Sequence, residues 1–402
     1  SSHHNHITTM KIAVIGARGI PAKFGEIERY CQELYPQIVA RGHKVDLYVQ
    51  PSYHQQSWFS TFTYQKMKVI SLLSLPGKRF SWLNSALYTI WATFGNYDVI
   101  HLHSMVGAWF AWCPQMFSNS SIVVTFHQLE SNATWSSKTF RRLLPWLEKI
   151  TVNYADEIIV TTQELANYFL RKYGICPHYI ASAPAKYAEN NNHFSFRQAF
   201  GLEQQRYVLY LGKFEPNQRL DLLIEVFQKL QSRNWKLVLA GDISYSFQHT
   251  INLLQMARQQ NNIIFTGEIS GNFLAELVRG AGIFVEPSDG NNLSSSVGML
   301  EAMREGIPIV ASDTITNRKL IGRDRGLLFK AGQFDSLLIQ LEYAMSRPNL
   351  LLTMAKKAQT YIAVNHNWDK VIYKNLFLYL QLTSKIPARR SHQTLDVEKF
   401  RA

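Results

Sequence analysis

The segment from Val285 to Asp313 constrains the fold more than any other part of this 402-residue chain. A buried strand ends at Pro287-Ser288, a polar, serine-rich loop follows, and a helix carries Glu301 before a second apolar strand begins at Ile307. This strand–loop–helix–strand order places backbone N–H groups and a helix N-terminus at the carboxyl end of a sheet. Open α/β sheets bind anionic ligands at that edge, so the segment predicts an anion site.

Strand and helix patterns alternate along the rest of the chain in two rounds. Short apolar runs predict buried strands, and apolar residues spaced three and four apart predict the helices between them. The predicted strands are residues 11–15, 44–49, 99–102, 122–126 and 157–160 in the first round and 207–211, 236–240, 263–266, 282–286 and 307–311 in the second, and the predicted helices include 28–41, 141–154, 221–230 and 369–382. This alternation predicts parallel, doubly wound sheets.

The length of the chain predicts two domains, because 402 residues exceed what one hydrophobic core usually holds. Residues 183–193 contain a proline and three consecutive asparagines, a composition typical of a linker. We therefore expect a first domain at residues 10–188 and a second at residues 194–366. Residues 1–9 resemble a leader or a cloning remnant, and residues 385–402 form a basic tail that we expect to be flexible.

Cysteine usage and hydropathy indicate the compartment. The three cysteines, Cys31, Cys113 and Cys176, match neither a disulfide framework nor the spacing of a zinc site, which favours a reducing cytoplasm. No apolar run approaches the roughly 20 residues that a membrane-spanning helix needs. We therefore do not expect an integral membrane protein.

The formal net charge is +13, and its distribution matters more than its size. Between Leu47 and Leu129 the only acidic residue is Asp98, and five of the nine tryptophans lie in that window. A second basic and aromatic stretch runs from Lys138 to Trp146. Basic charge mixed with Trp and Phe suits an anionic membrane surface. The alternative is that the tryptophans belong to the core and the charges to an ordinary solvated face. Net charge alone does not predict nucleic-acid binding, so no nucleic acid is expected as a partner.

Several stretches of sequence, in a fixed order, carry a family resemblance. They are residues 15–25, which read Ile-Gly-Ala-Arg-Gly-Ile-Pro-Ala-Lys-Phe-Gly, and residues 41–45, 211–213 and 285–313. With them the chain resembles the nucleotide-sugar glycosyltransferases of family 4, which have the GT-B fold, and the first stretch is similar to a bacterial subgroup that includes rhamnosyltransferases. The resemblance implies two Rossmann-like, doubly wound α/β domains facing across a cleft. The first domain would bind the acceptor and the second the nucleotide sugar, and a helix at 367–384 would return to the first domain.

The resemblance also implies an activity. The expected reaction moves a sugar from a nucleotide-sugar donor to a glycan or lipid-linked acceptor in bacterial polysaccharide synthesis, with retention of anomeric configuration. No metal or other cofactor is expected, because cationic side chains would neutralise the diphosphate. We expect a cytoplasmic enzyme that is peripheral at the inner face of the cell membrane.

Three charged residues are predicted to bind the donor in the second domain. The resemblance places Glu301 on the ribose hydroxyls, and a carboxylate can accept a bond from each of two neighbouring hydroxyls. It places Lys213 on the diphosphate, where positive charge stabilises the leaving group. Arg219 is inferred as a second cation, because the family position that usually supplies it holds Gln218 here. The alternative is that both cations are ordinary surface charges.

Four smaller residues complete the predicted donor site. Gly16 and Gly19 would let the first loop approach the donor closely, although a tight turn requires the same residue type. Ser295 and Ser296 stand where the family has a glycine-rich loop. Their hydroxyls and backbone amides are expected to bond the sugar.

The predicted reacting centre lies at the end of strand 122–126. His127 occupies the place of the active-site histidine of the family, and it is expected to bond the transferred sugar or the donor phosphate. The similar subgroup often has an acid followed by Gly-Leu-Glu at this position, and this chain reads His-Gln-Leu-Glu. Glu130 is therefore a second catalytic candidate.

Three departures from the family pattern leave a second function open. Leu293 stands where a glutamate would bond sugar hydroxyls, Glu26 replaces the second glycine of a Gly-Gly pair, and Gln218 replaces a cation. The alternative function is a binding or scaffold protein of the same fold without transferase activity. A dinucleotide oxidoreductase is excluded, because the chain lacks Gly-x-Gly-x-x-Gly in its first loop and ends its second strand at Gln50 rather than at an acid.

Overall fold

A computed structural model describes residues 8–23, 25–75, 80–104, 108–129, 138–187, 195–230, 234–242, 247–290 and 293–384, without the side chains of 138–140. Contacts divide the chain into two compact units. The first unit comprises the residues up to Ala181 together with those from Trp368 onward, and the second comprises Ser182–Asn367. Residues 1–7 of the expected leader, the linker residues 188–193, the tail 385–402 and the catalytic candidate Glu130 lie outside the described residues.

The first unit is built on an eight-stranded sheet with the strand order β3-β4-β2-β1-β5-β6-β7-β8. Its strands are β1 Lys11–Ile15, β2 Lys44–Val49, β3 Ser60–Tyr64, β4 Met67–Ser71, β5 Val99–His103, β6 Ser121–Phe126, β7 Glu157–Val160 and β8 His178–Tyr179, and its helices before the second unit are α1 Glu26–Ala40, α2 Ser81–Thr93, α3 Trp112–Phe117, α4 Lys138–Tyr154 and α5 Gln163–Tyr173. All described pairings are parallel except that of β3 with β4. The predicted parallel, doubly wound arrangement is confirmed, and the antiparallel pair at this edge was not predicted, because β3 alternates half-buried and exposed residues and carries no apolar run.

The second unit is built on a six-stranded parallel sheet with the order β11-β10-β9-β12-β13-β14. Its strands are β9 Tyr207–Leu211, β10 Lys236–Ala240, β11 Ile263–Gly267, β12 Ile283–Glu286, β13 Ile309–Ser312 and β14 Leu327–Phe329, and its helices are α6 Phe196–Ala199, α7 Leu220–Lys229, α8 Phe247–Met256, α9 Gly271–Gly280, α10 Val297–Arg304, α11 Ile315–Ile321, α12 Phe334–Ser346 and α13 Pro348–Asn365. Two apolar clusters of this unit contain strand residues together with helix residues, as expected for a sheet that is buried on both faces. The ten predicted strands all exist, with ends within two residues of those observed.

Both sheets reverse their strand order at one point. In the first sheet β1 lies between β2 and β5, and in the second β9 lies between β10 and β12. The loops that leave β1 and β5, or β9 and β12, therefore diverge at the carboxyl edge and leave a crevice where open α/β sheets bind ligands. The residues predicted to act on the donor follow these strands.

The last helix, α14 Trp368–Thr383, packs within the first unit against α1. The ring of Trp368 lies 5.2 Å from that of Tyr30, and Thr383 donates a hydrogen bond to the sulfur of Met10. Among the residues that the structure describes, no helix is both long and apolar enough to cross a membrane.

The switch point of the first sheet generates a stability prediction. A Cβ atom on Gly16, which has φ +129°, would lie 2.2 Å from the carbonyl oxygen of His103, whereas one on Gly174, at φ +65°, would meet nothing within 4 Å. We expect Gly16→Ala to lower the free energy of unfolding by about 3 kcal/mol or more, because backbone strain and a clash with the main chain add. Gly174→Ala is the control and should cost about 1 kcal/mol, for the left-handed backbone alone. Urea denaturation of both variants measures the difference, and equal losses would contradict the close approach.

Candidate functional site

Three histidines share one face of the first sheet. Side chains alternate along a strand, so His101 and His103 of β5 point to the same side. Parallel pairing puts Thr125 of β6 beside His103, which places His127, two residues further, on that face as well. The rings of His101 and His103 stack at 4.3 Å and 13°, and those of His103 and His127 at 5.3 Å and 24°.

Hydrogen bonds join these histidines to two tyrosines from the covering helices. His103 Nδ1 lies 3.0 Å from His127 Nε2, and His101 Nε2 lies 2.6 Å from the hydroxyl of Thr125. The hydroxyl of Tyr35, on α1, contacts His103 Nε2, and that of Tyr379, on α14, contacts His101 Nδ1. All of these residues except His127 are buried, and His127 is half-buried. We refer to His101, His103, His127, Thr125, Tyr35 and Tyr379 as the histidine network.

Burial keeps the three imidazoles uncharged at neutral pH. Desolvation, with a smaller repulsion from His127, lowers the pKa of His101 to about 3, and desolvation lowers that of His127 to about 4. The pKa of His103 falls well below its ordinary value, chiefly by burial and then by its histidine neighbours. A neutral imidazole donates through one nitrogen and accepts through the other, so His127 offers directional hydrogen bonding and no positive charge.

Tyr30 of α1 packs on His127. Its ring lies 4.8 Å from that of His127 in an edge-to-face arrangement and also contacts Trp368 of α14. The sequence prediction named His127 and missed His103, Tyr35 and Tyr379. One signal for His101 and His103 was available, because two histidines spaced by one residue interrupt an otherwise apolar strand.

The glycines of the first loop lie in close contact with other parts of the first unit. A Cβ atom on Gly19 would lie 2.1 Å from the ring of Tyr53, as one on Gly16 would overlap the backbone of β5. Arg18, between them, is held by Glu28 of α1 at 2.6 Å. Glu26, the departure from the family pattern, is exposed in the first turn of α1, where the helix dipole favours an acid. A close approach of this loop to a donor remains a prediction.

Glu301 lies fully buried in α10 and accepts a hydrogen bond from the hydroxyl of Tyr187 at 2.8 Å. The Arg304 guanidinium lies 4.3 Å from the centre of the Tyr187 ring, and that of Arg279 lies 5.6 Å from it. Arg304 also donates to the carbonyl oxygens of Pro184 and Ala185. The described end of the predicted linker is therefore fixed on α10, and Tyr187 is a site residue that the sequence prediction missed.

The N-terminus of α10 packs closely against the end of β9. A Cβ atom on Gly298 would lie 2.2 Å from the carbonyl oxygen of Leu211, so only a glycine allows this approach. Ser296 is the N-cap, and its hydroxyl accepts a bond from the amide of Met299 at 3.2 Å. Ser295 beside it is half-buried, as is Leu293. The serine-rich loop thus begins a helix at the switch point of the second sheet.

The predicted cations follow β9. Lys213 is half-buried, and its carbonyl oxygen accepts a bond from Tyr210, whose hydroxyl also reaches Gln218 at 3.3 Å. Arg219 precedes α7 and forms ion pairs with Asp221 at 3.1 Å and with Asp289 at 2.9 Å. These bonds, first that of Asp221 and then that of Asp289, raise the pKa of Arg219. An anion that approaches Arg219 therefore meets a cation already shared by two carboxylates.

Comparison with known proteins relates this geometry to glycosyl transfer. The model of Glycosyltransferase Family 4 matches residues 27–184, and the model of Glycosyl transferases group 1 matches residues 192–361. An uncharacterized glycosyltransferase of Methanocaldococcus jannaschii is 20% identical over 92% of this chain and 98% of its own length. Phosphatidyl-myo-inositol mannosyltransferase of Mycobacterium leprae is 24% identical over 72% of this chain and 75% of its own. Among solved structures, sucrose-phosphate synthase of Thermosynechococcus elongatus superposes with a TM-score of 0.75 at 20% identity, over 93% of this chain and 99% of its own.

The low pKa of His127 predicts acid destabilisation. Its pKa is about 4 in the folded protein and about 6.5 when unfolded, so the unfolded state takes up the proton first as pH falls below 6.5. The stability that the protein gains from a neutral His127 is fully present above pH 6.5 and is lost as the pH falls towards 4. Between pH 7 and pH 5 it amounts to about 2 kcal/mol. Urea denaturation of wild type and His127→Gln at both pH values should show that the variant loses about 2 kcal/mol less, and the same loss in both proteins would contradict the assignment.

Proposed function

Because this chain is a glycosyltransferase of the group 1 and family 4 type with the two-domain GT-B fold, we propose that it transfers a hexosyl group from a nucleotide diphosphate sugar to a glycan or glycolipid acceptor in bacterial polysaccharide synthesis. One observation carries the proposal: the N-terminus of α10, with Glu301 in its second turn, abuts the end of β9 where the strand order reverses. Helix N-termini at such points bind phosphates. Retention of configuration and transfer without a metal belong to the same proposal.

In the donor complex we place the nucleoside ribose on Glu301. The Glu301 carboxylate already accepts a hydroxyl bond, from Tyr187, and a ribose hydroxyl is a donor of the same kind. Binding of the nucleoside therefore exchanges the phenol of Tyr187 for sugar hydroxyls. The carboxylate stays hydrogen-bonded throughout, which matters because a buried charge without partners is costly.

The diphosphate lies on the N-terminal side of α10 in this proposal. Lys213 and Arg219 supply positive charge, and Ser295 and Ser296 supply hydroxyls and amides. Arg219 keeps its carboxylate neighbours unless the phosphate displaces them. Since an arginine has five N–H donors in a fork, it can bond a phosphate oxygen while one aspartate remains.

The sugar end of the donor site differs from the family pattern. Leu293 cannot bond hydroxyl groups, so the serine hydroxyls next to it take over the sugar contacts. His127 and Glu130 stay the catalytic candidates of this proposal. The similarity of residues 15–25 to a rhamnosyltransferase subgroup makes dTDP-rhamnose the first donor to try, beside UDP, GDP and ADP sugars.

Donor binding is tested by two substitutions that are expected to change the affinity in opposite directions. Glu301→Ala should abolish binding of the nucleotide that wild type prefers, because the ribose loses its acceptor. Tyr187→Phe should tighten binding by about threefold to tenfold, because the competing hydroxyl is removed while the ring keeps its contacts with Arg279 and Arg304. Isothermal calorimetry on all three proteins gives the affinities. Full affinity in Glu301→Ala would remove the assignment, and no nucleotide binding by wild type would favour the scaffold function.

Turnover is tested at His127. His127→Ala should keep the affinity for the donor within about twofold and lower kcat by about 100-fold, since a bond made only in the transition state affects kcat alone. His178→Ala is a matched control, because His178 of β8 bonds Glu157 away from the histidine network. A radiolabelled-sugar transfer assay measures both variants. An unchanged kcat in His127→Ala would show that this residue has no part in the reaction.

The first unit carries an exposed aromatic surface that suits a membrane. Helix α2 packs against α3 and against the short helix 108–110, which also contacts α4. These helices and their ends expose large apolar side chains and two arginines: Trp91, Phe94, Met116, Phe117, Leu143 and Trp146, with Arg141 and Arg142. We name this set the aromatic–basic surface. The core alternative considered from sequence fails for Trp91 and Trp146, which are 55% and 59% exposed.

We assign an anionic phospholipid bilayer as the occupant of the aromatic–basic surface. Indole and phenyl rings partition into the interfacial region, and each basic residue near a negative surface adds roughly 1 kcal/mol. A lipid-linked acceptor would be held in the same membrane. The enzyme would then be peripheral at the cytoplasmic face.

Vesicle flotation tests the assignment. Wild type should bind vesicles containing phosphatidylglycerol about tenfold more tightly than vesicles of phosphatidylcholine, and the difference should shrink at high salt. The double variant Phe94→Ser and Trp146→Ser should lose most of this binding. Ile339→Ser and Val364→Ser, at exposed apolar positions of the second unit, form the control and should bind like wild type. Equal binding by both double variants would contradict the surface.

A further inference from the structure

The ring nitrogens and hydroxyls of the histidine network can share protons in only a few ways. Each neutral imidazole carries one N–H and one bare nitrogen, and each hydroxyl carries one proton. Four contacts define the network: Tyr35 with His103 Nε2, Tyr379 with His101 Nδ1, His101 Nε2 with Thr125, and His103 Nδ1 with His127 Nε2. A proton must lie in each contact for it to be a bond, and no nitrogen can accept from two partners at once.

One distribution of protons satisfies all four contacts. Tyr379 donates to His101 Nδ1, so His101 carries its proton on Nε2 and donates to Thr125. Tyr35 donates to His103 Nε2, so His103 carries its proton on Nδ1 and donates to His127 Nε2. The proton of His127 is then on Nδ1. Every contact holds one proton, and each tyrosine uses its single proton on its closest imidazole.

The reversed distribution is poorer. If His127 donated from Nε2, His103 would donate from Nε2 to Tyr35, and the Tyr35 proton would need another acceptor. The remaining partners are His101 Nδ1 at 3.1 Å, which Tyr379 already engages, and the Tyr379 oxygen at 3.5 Å. One nitrogen would face two hydroxyls, or one bond would be stretched to the limit of hydrogen bonding.

We propose that Tyr35 and His103 are positioning residues that hold His127 as its Nδ1–H tautomer, so that His127 acts as a hydrogen-bond donor and not as a proton acceptor. The inference rests on the proposed function for the use that is made of this N–H. In glycosyl transfer it would bond an oxygen of the transferred sugar or of the departing phosphate. The second nitrogen of an imidazole sets the state of the first in this way in many active sites.

Side chains of α1, α14 and β5 surround the histidine network and could influence its tautomers. From α1, Tyr30, Cys31 and Tyr35 face the network, and Glu28 acts on Cys31; from α14, Tyr379 faces it; from β5, His101 and His103 do. Burial raises the pKa of Tyr35, Tyr30 and Cys31, so these neighbours stay uncharged at neutral pH. Because these neighbours are neutral, hydrogen-bond matching among them selects the tautomer of His127.

Nitrogen-15 NMR of histidine-labelled wild-type protein, without any substrate, tests the tautomer directly. Long-range proton–nitrogen correlations distinguish Nδ1–H from Nε2–H, and His127→Gln identifies the signals. We expect His127 to be Nδ1–H at pH 7, with His103 also Nδ1–H and His101 Nε2–H. A wild-type His127 that carries its proton on Nε2 overturns the proposal, whether or not any variant folds.

Tyr35→Phe tests the positioning role. Without the hydroxyl, His103 Nε2 has no donor, so the His127 signals should move towards the Nε2–H tautomer, and kcat should fall about tenfold with KM within about twofold. Tyr48→Phe is the matched control: it removes another buried hydroxyl of the first unit, bonded to Tyr97 at 2.6 Å, and should change neither the tautomer nor kcat. An unchanged tautomer in folded Tyr35→Phe overturns the role of Tyr35.

The two proposals fail in different ways. If wild type transfers no sugar from any donor, glycosyl transfer is refuted, and the NMR result still decides the tautomer. If wild type transfers sugar and His127 is Nε2–H, the proposed function stands and the positioning inference is overturned. A folded Tyr35→Phe variant that changes tautomer without any change in kcat also overturns the inference, because the N–H then has no use in the reaction.

Discussion

Three imidazoles on one face of the first sheet take their hydrogen-bond partners from the protein itself. A buried polar group without a hydrogen bond lowers the stability of the fold by about 1 kcal/mol to several kcal/mol. Each buried ring nitrogen therefore requires a polar neighbour. Tyr35 of α1 and Tyr379 of α14 supply the hydroxyls. The return of the last helix therefore rests on polar contacts as well as apolar ones. The contact of the Tyr379 phenol with the His101 imidazole is one of these polar contacts.

The second unit follows a similar rule with charges. Glu301 accepts from Tyr187, and Arg219 is paired with Asp221 and Asp289, so the groups assigned to the donor already have protein partners. Burying an ion without a partner is strongly unfavourable, so these internal partners stabilise the fold. A ligand must then offer bonds at least as good as those it displaces. In the proposed donor complex, a ribose hydroxyl would replace the Tyr187 hydroxyl on Glu301. A phosphate would replace an aspartate carboxylate on Arg219.

The sequence predicted what depends on local pattern and missed what depends on distant packing. Apolar runs located the strands that are buried on both faces, and the residue after such a run, His127, lies at the predicted sheet edge. The hairpin of β3 and β4 was missed, because an edge strand shows no such run. Tyr379 could not be connected to His101 from sequence, since 278 residues separate them. Tyr187 lay in a stretch that composition indicated only as linker.

The departures from the family pattern gain a physical meaning when they are considered together. In the proposed donor site, Leu293 replaces the carboxylate expected at the sugar, while Asp289 bonds Arg219, which is assigned to the diphosphate. A diphosphate carries enough charge to compete with one aspartate for a guanidinium. A neutral sugar, in contrast, can form no hydrogen bond with a leucine side chain. In the proposed donor site, binding energy therefore comes mainly from the nucleotide. In that proposal the sugar is selected by shape and by the serine hydroxyls, a weaker discrimination than a carboxylate bonded to two hydroxyls provides.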